Sequence, residues 1–208
     1  MADYRLYCFG ESGNAYKVAL MLELCRLSWQ PVFVDFFNGE TRTPGYRATV
    51  NEMGEAPVLE HEGRRLTQSG VILDYLAEVT RKFGPKSDDE RREIWRWILF
   101  DNHKFTASLA TLRYLIQFAR TGETPVTEFL RARAVGALKL ADQHLAERPF
   151  IIGKRATIAD LSMAGYLFYG EELTVPLEDH VNLMKWLDRI QSLPGWKHPY
   201  DLMPRARA

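Results

Sequence analysis

The sequence predicts an α/β domain of order β-α-β-α-β-β-α followed by an all-helical bundle, and three observations carry that expectation. Over the first ~80 residues, about the size of a small domain, short β-type runs alternate with segments of helical periodicity. Between Arg81 and Glu90 the run RKFGPKSDDE contains Gly84-Pro85 and loses periodicity, as a linker does. Beyond it, apolar residues recur at three- and four-residue spacing with no alternating segment between them. The two domains are accordingly expected at residues 1–81 and 91–208, with 82–90 as the linker.

The elements follow in order. Residues 6–9 form a β-type run ending at Gly10, and after ESGN the segment AYKVALMLELCRL has the apolar spacing of a helix. Residues 30–36 read as a second strand and 44–50 as a short helix. Residues 56–60 read as a third strand, and His61-Glu62-Gly63 as a hairpin turn into a fourth at 64–67. Ser69 is placed to cap a helix running to Ala77. In the second half, helices are expected over 91–120, 126–147, 158–169 and 183–192. The third begins in GKRATIADLSMAGYL, where Thr157 and Asp160 have the spacing of a capping box, a device that fixes a helix start.

Composition narrows the function classes. The 208 residues carry 27 Lys and Arg against 27 Asp and Glu, and a zero net charge argues against a nucleic-acid partner, whose phosphates demand a basic surface. No stretch approaches the roughly 18 uninterrupted apolar residues of a membrane span, and the charged start MADYRLYCFGE lacks a signal-peptide core, so a cytoplasmic protein is expected. Cys8 and Cys25 are the only cysteines, both in apolar surroundings, and form no C-x-x-C pair. The five histidines show no metal-ligand spacing, and no metal is expected.

Pro57 raises a question. It heads the apolar run Val58-Leu59, yet proline has no N–H for a sheet ladder and is normally confined to a strand's first residue or edge. Three stretches suggest why it is there: LYCFGESGNAYKVALMLEL, NEMGEAPVLEHEGRRLTQSGVILDYLAE, and RPFIIGKRATIADLSMAGYL followed by NLMKWLDRIQSLPGWK. On these, over nearly all of its length, the chain resembles the cytosolic glutathione transferases, and its S-G-N turn is most similar to that of the bacterial nu-like class.

The resemblance implies a thioredoxin-like first domain, glutathione as co-substrate and a homodimer. It implies a cis proline at Pro57, with the main chain of Ala56 binding the cysteinyl part of glutathione. Gln68 and Ser69 would face its γ-glutamyl end, where a helix N-terminus offers free N–H groups and a positive dipole to a carboxylate. Gln68 stands where relatives more often have Glu, which weakens the attraction for the ammonium. N-E-M-G at 51–54 stands where many relatives read N-P-x-G, and the Gly54 turn survives the change.

Ser12 and Asn14 lie between the first strand and the first helix, and each carries a donor that could stabilise a thiolate; Ser12 could equally be only a cap. The resemblance makes them the candidate catalytic pair. It also points to Phe100, His103, Lys104 and Tyr114, on the long helix after the linker, as candidates for the electrophile site. The implied activity is attack of the glutathione thiolate on a small hydrophobic electrophile, as in detoxification. The alternatives are glutathione-dependent disulfide reduction and a non-catalytic ligand-binding protein of the same fold.

Overall fold

The computed structural model describes residues 3–206. Residues up to Lys82, together with those from Leu193 on, form one compact unit, and residues from Phe83 to Ser192 form a second.

In the first unit the strands β1 (Tyr4–Cys8), β2 (Trp29–Phe33), β3 (Val58–His61) and β4 (Arg64–Thr67) make a sheet of order β2-β1-β3-β4. β2 runs parallel to β1; β3 is antiparallel to both β1 and β4. β2 is an edge strand, which is why it tolerates Pro31 opposite Leu6. It ends at Phe33, short of the expected residue 36: Val34 bonds back to Cys8 and Phe36 to Val34, turning the chain out of the sheet. β3 begins at Val58, so Ala56 and Pro57 lie before the strand instead of opening it.

The helices of this unit are α1 (Gly13–Leu24), α2 (Pro44–Thr49) and α3 (Ser69–Thr80). α1 is buried on almost every residue, as expected of a helix apolar on all sides that packs on β1 and α3. α3 outruns its expected end at Ala77 by nearly a turn and stops at Arg81, whose φ of +56° is left-handed.

The helical unit contains α4 (Asp88–Phe100), α5 (Thr106–Arg113), α6 (Pro125–Leu145), α7 (Ile158–Ala164) and α8 (Val181–Gln191). α4 starts inside the segment expected to be a linker. Ser87 caps it by accepting from the Glu90 N–H at 3.1 Å, and Asp88, Asp89 and Glu90 place negative charge against its dipole. The single helix expected over 91–120 runs without a gap from Asp88 to Phe118, with two π-helical turns inside it, Asp101–Phe105 and Tyr114–Phe118. The first of these turns holds Asp101, fully buried, which accepts from Thr106 Oγ1 and Ser162 Oγ, each at 2.6 Å. The helix expected to reach residue 169 stops at Ala164; a 3-10 stretch follows, bent at Gly170, whose φ is +56°. Among the described residues no helix is long and apolar enough to cross a membrane.

The helical domain expected to run to residue 208 ends earlier, because the segment from Leu193 on belongs to the first unit. Tyr16 Oη donates to the Lys197 carbonyl at 2.9 Å, the Lys197 ammonium pairs with Glu23 at 3.0 Å, and a short helix, α9 (Pro199–Leu202), packs on α1.

Candidate glutathione site

The sheet register gathers the candidate residues of the first unit at one end. Tyr7 pairs with Val58 and Val58 with Thr67. The chain leaving β1 toward Ser12, the chain entering β3 through Ala56-Pro57, and the chain leaving β4 through Gln68-Ser69 therefore pass the same edge. The helices α1 and α3 both begin there.

Ser12 is the N-cap of α1: its backbone is extended, and its Oγ accepts the Ala15 N–H at 3.1 Å. The cap uses an oxygen lone pair and leaves the hydroxyl proton available, so capping and donation to a ligand are compatible. Asn14 is half-buried, and its Oδ1 is shut off from solvent without a hydrogen-bond partner among the described residues.

The Ala56–Pro57 peptide bond is cis. Neither the Ala56 N–H nor its C=O is bonded to another backbone group of the described residues. The preceding turn is fixed from beneath: Tyr46 Oη and Asn51 Nδ2 both donate to the Glu55 carbonyl, at 3.0 and 2.9 Å. Asn51 Oδ1 also accepts the Met53 N–H at 3.1 Å. Gly54 sits at φ +68°, and a Cβ there would stand 2.7 Å from Arg47 Nη2 and 2.8 Å from the Thr41 carbonyl oxygen. The turn thus requires glycine at 54 and is held by Asn51, with no proline in it.

Ser69, expected as a cap, is instead the first residue of α3; the cap position belongs to Gln68, whose side chain makes no capping bond. Gln68 has φ +64°, an unusual conformation for a residue with a Cβ. Its Nε2 donates to Glu55 Oε2 at 2.8 Å, tying the α3 entrance to the turn before Pro57. Ser69 is buried, and its hydroxyl is in no hydrogen bond among the described residues. The first intrahelical bond is Ile72 N–H to Gln68 C=O at 3.0 Å, so the N–H groups of Ser69, Gly70 and Val71 precede the ladder and are positioned for an anion.

The other groups that could act on a thiol are occupied by packing. Burial pushes the Cys8 thiol up to about 12, which leaves it protonated and inert. Burial also raises Tyr16, whose hydroxyl donates to Lys197, and Tyr7, whose hydroxyl donates to Glu60 Oε1 at 3.2 Å.

The remaining candidates lie in the helical unit. Phe100 ends α4 and packs edge-on to Trp97, with ring centroids 5.4 Å apart. His103 and Lys104 are exposed on the first π-helical turn, and Tyr114 begins the second. No hydrogen bond links these four side chains among the described residues. No group of three or more His, Cys, Asp or Glu among the described residues could hold a metal.

Sequence reading missed Glu11 and the segment that meets it. The buried Glu11 carboxylate accepts the Ala206 N–H at 3.1 Å, a contact across 195 positions that no local pattern announces.

Two family models match the chain. Residues 2–78 match "Glutathione S-transferase, N-terminal domain", and residues 106–194 match "Glutathione S-transferase, C-terminal domain". Glutathione S-transferase F14 of Arabidopsis thaliana is 29% identical, covering 100% of this chain and 90% of its own length. A maleylacetoacetate isomerase of Rhizobium meliloti is also 29% identical, over 83% of this chain and 84% of its own. A crystal structure of a glutathione S-transferase from Pseudomonas fluorescens superposes with a TM-score of 0.89 at 30% identity, covering 96% of this chain and 100% of that one.

Proposed function

The chain belongs to the glutathione S-transferase family, and from that premise we propose that its first unit binds glutathione and activates the thiol as a thiolate for attack on a small hydrophobic electrophile. The observation that carries this reading is the Ser12 hydroxyl: buried at the N-terminus of α1, bonded only as an acceptor among the described residues, and at the same sheet end as the cis Ala56–Pro57 bond. Ala56 offers its N–H and C=O to the cysteinyl backbone, as one more strand would. Ser69 and the first N–H groups of α3 take the γ-glutamyl carboxylate, and Gln68 meets the neighbouring ammonium through its carbonyl.

A free thiol near pKa 8.5 is mostly protonated at neutral pH. Lowering it by about two units requires roughly 2.7 kcal/mol of preference for the anion, within reach of one or two charge-assisted donors and a helix dipole. Ser12 O–H and Asn14 Nδ2 are the donors assigned to that task. The thiolate attacks an electrophilic carbon and the leaving group departs with the bonding pair. Phe100, His103, Lys104 and Tyr114 are proposed for the electrophile site, and the working form is proposed to be a cytoplasmic homodimer.

Ultraviolet titration of bound glutathione in wild type, Ser12→Ala, Asn14→Ala and the double variant tests the assignment. Each single variant should raise the thiol pKa, and a loss of ~2 kcal/mol confined to the chemical step would slow turnover about thirtyfold. The double variant should lose less than the sum, since both groups act on one charge. One pKa shared by all four proteins would reduce the turn to a helix cap. Turnover against an aryl halide, a peroxide, an isothiocyanate and a mixed disulfide would then identify the electrophile and decide between conjugation and disulfide reduction.

A further inference from the structure

The segment after Leu193 bonds to two successive residues of the turn that carries Ser12. The Gly10 N–H donates to the Pro204 carbonyl at 2.7 Å, and the Glu11 carboxylate receives the Ala206 N–H at 3.1 Å. These bonds cross-link residues 10 and 11 to residues 204 and 206, immediately before Ser12. The approach is close: a Cβ at Gly10 would stand 3.2 Å from Arg205 Cγ and 3.3 Å from both the Met203 carbonyl oxygen and the Tyr200 ring. Arg205 in turn lies over the Tyr200 ring at 4.1 Å, closing the segment on itself.

The apolar contacts connect the same parts. Phe9, Val34 and Tyr46 form a buried cluster, and both Ala56 and Ala206 pack against it. Tyr46 also holds the Glu55 carbonyl, one residue before the cis bond. One small cluster therefore fixes the residue before the Ser12 turn, the residue before Pro57 and the last described residue of the chain.

We propose that the segment 203–206 positions the Ser12 turn against the thiol of bound glutathione, with Glu11 the positioning residue through which it acts. This rests on the reading of Ser12 as a thiolate donor. Glu11 does not touch the substrate. A turn tethered at two successive residues holds the Ser12 hydroxyl in one place, and the benefit falls on the thiolate alone, because the γ-glutamyl end is held at α3. Loosening the tether should therefore cost activation of the thiol and spare binding.

The test uses the full-length protein with glutathione and needs no electrophile. Glu11→Ala removes the acceptor, Glu11→Gln retains an oxygen at the same place, and Ala206→Pro removes the N–H that Glu11 accepts. Ultraviolet titration gives the pKa of the bound thiol; calorimetry near pH 5.5, where that thiol keeps most of its proton, gives affinity. Glu11→Ala and Ala206→Pro should each reduce the ionisation constant of the bound thiol about fivefold, the ratio expected for one hydrogen bond. Glu11→Gln should restore most of it, the double variant should lose no more than Glu11→Ala alone, and affinity at the lower pH should hold.

Unchanged ionisation in Glu11→Ala and Ala206→Pro, or a loss of affinity matching the loss of ionisation, overturns the proposal. So does a lowered melting temperature with no change in ionisation, which would make the tether merely structural. If wild type itself shows no thiolate on binding glutathione, the underlying reading of Ser12 fails first, and that result is distinct from wild type ionising the thiol while the variants match it.

Discussion

Asp160 in the helical unit and Ser69 in the sheet unit are both buried residues in the first turn of a helix, and they differ in what is bonded to their side chains. Asp160 Oδ1 receives the Ile151 N–H at 2.8 Å and Trp186 Nε1 at 2.9 Å. Its Oδ2 receives the Thr157 N–H at 2.8 Å and the Thr157 hydroxyl at 3.0 Å. Burial pushes this carboxyl above its usual range, and all four donors pull it back. Ser69 has no such set: neither its hydroxyl nor the three N–H groups beginning α3 are bonded among the described residues. Buried polar groups cost free energy unless bonded, so the filled cluster is part of the fold, whereas the open groups at Ser69 are the ones proposed to bind the γ-glutamyl carboxylate.

The comparison breaks most readily at Asp160. Asp160→Ala would orphan four buried donors at once, and it should lower unfolding free energy by about 3–5 kcal/mol in chemical denaturation. Glutathione affinity of the folded fraction should be unchanged. A loss within 1 kcal/mol, on the order of a single exposed contact, would show that the filled cluster is not what holds α7 in place.

Ser69→Ala should do the reverse. Stability should shift little, since no described group loses a partner, while glutathione binding should weaken by about 1–3 kcal/mol, the cost of leaving a charged carboxylate short of a hydrogen bond. Calorimetry showing equal affinities would remove Ser69 from the site.

Both clusters are partly legible in the amino-acid sequence. The Thr157–Asp160 capping box reads directly from spacing, and it is closed as expected, with Thr157 Oγ1 also accepting the Ala159 N–H at 3.3 Å. Its further bonds to Ile151 and Trp186 come from 9 and 26 positions away and leave no local trace. Pro57 signals a special backbone because proline contradicts the strand pattern around it. Ser69 signals a helix start but not its register, since whether Gln68 or Ser69 takes the cap position depends on a φ of +64° that glutamine does not advertise. The π-helical turns are invisible for a related reason: they shift the register of hydrogen bonds without breaking the apolar periodicity. The return of the tail to Gly10 and Glu11 is the least legible feature, being set by two backbone N–H groups, which every residue but proline possesses.

The smallest expected effect is also the one that separates fold from site most finely. Gln68 at φ +64° and ψ 113° lies in a sparsely populated region, which costs a residue with a Cβ about 1–3 kcal/mol. Gln68→Gly removes that cost, against roughly 1 kcal/mol of extra chain entropy lost on folding and a weak exposed bond to Glu55. The balance is a gain of about 1 kcal/mol, or a rise of about 2–4 °C in melting temperature for a chain of this length. The same change removes the amide proposed to face the γ-glutamyl end, so glutathione affinity should fall, by about fivefold if one hydrogen bond is lost. Stability and affinity would then move in opposite directions at one residue, as expected where strain is kept for a ligand's sake. A melting temperature that falls together with affinity would place Gln68 with Asp160, among the residues the fold itself needs.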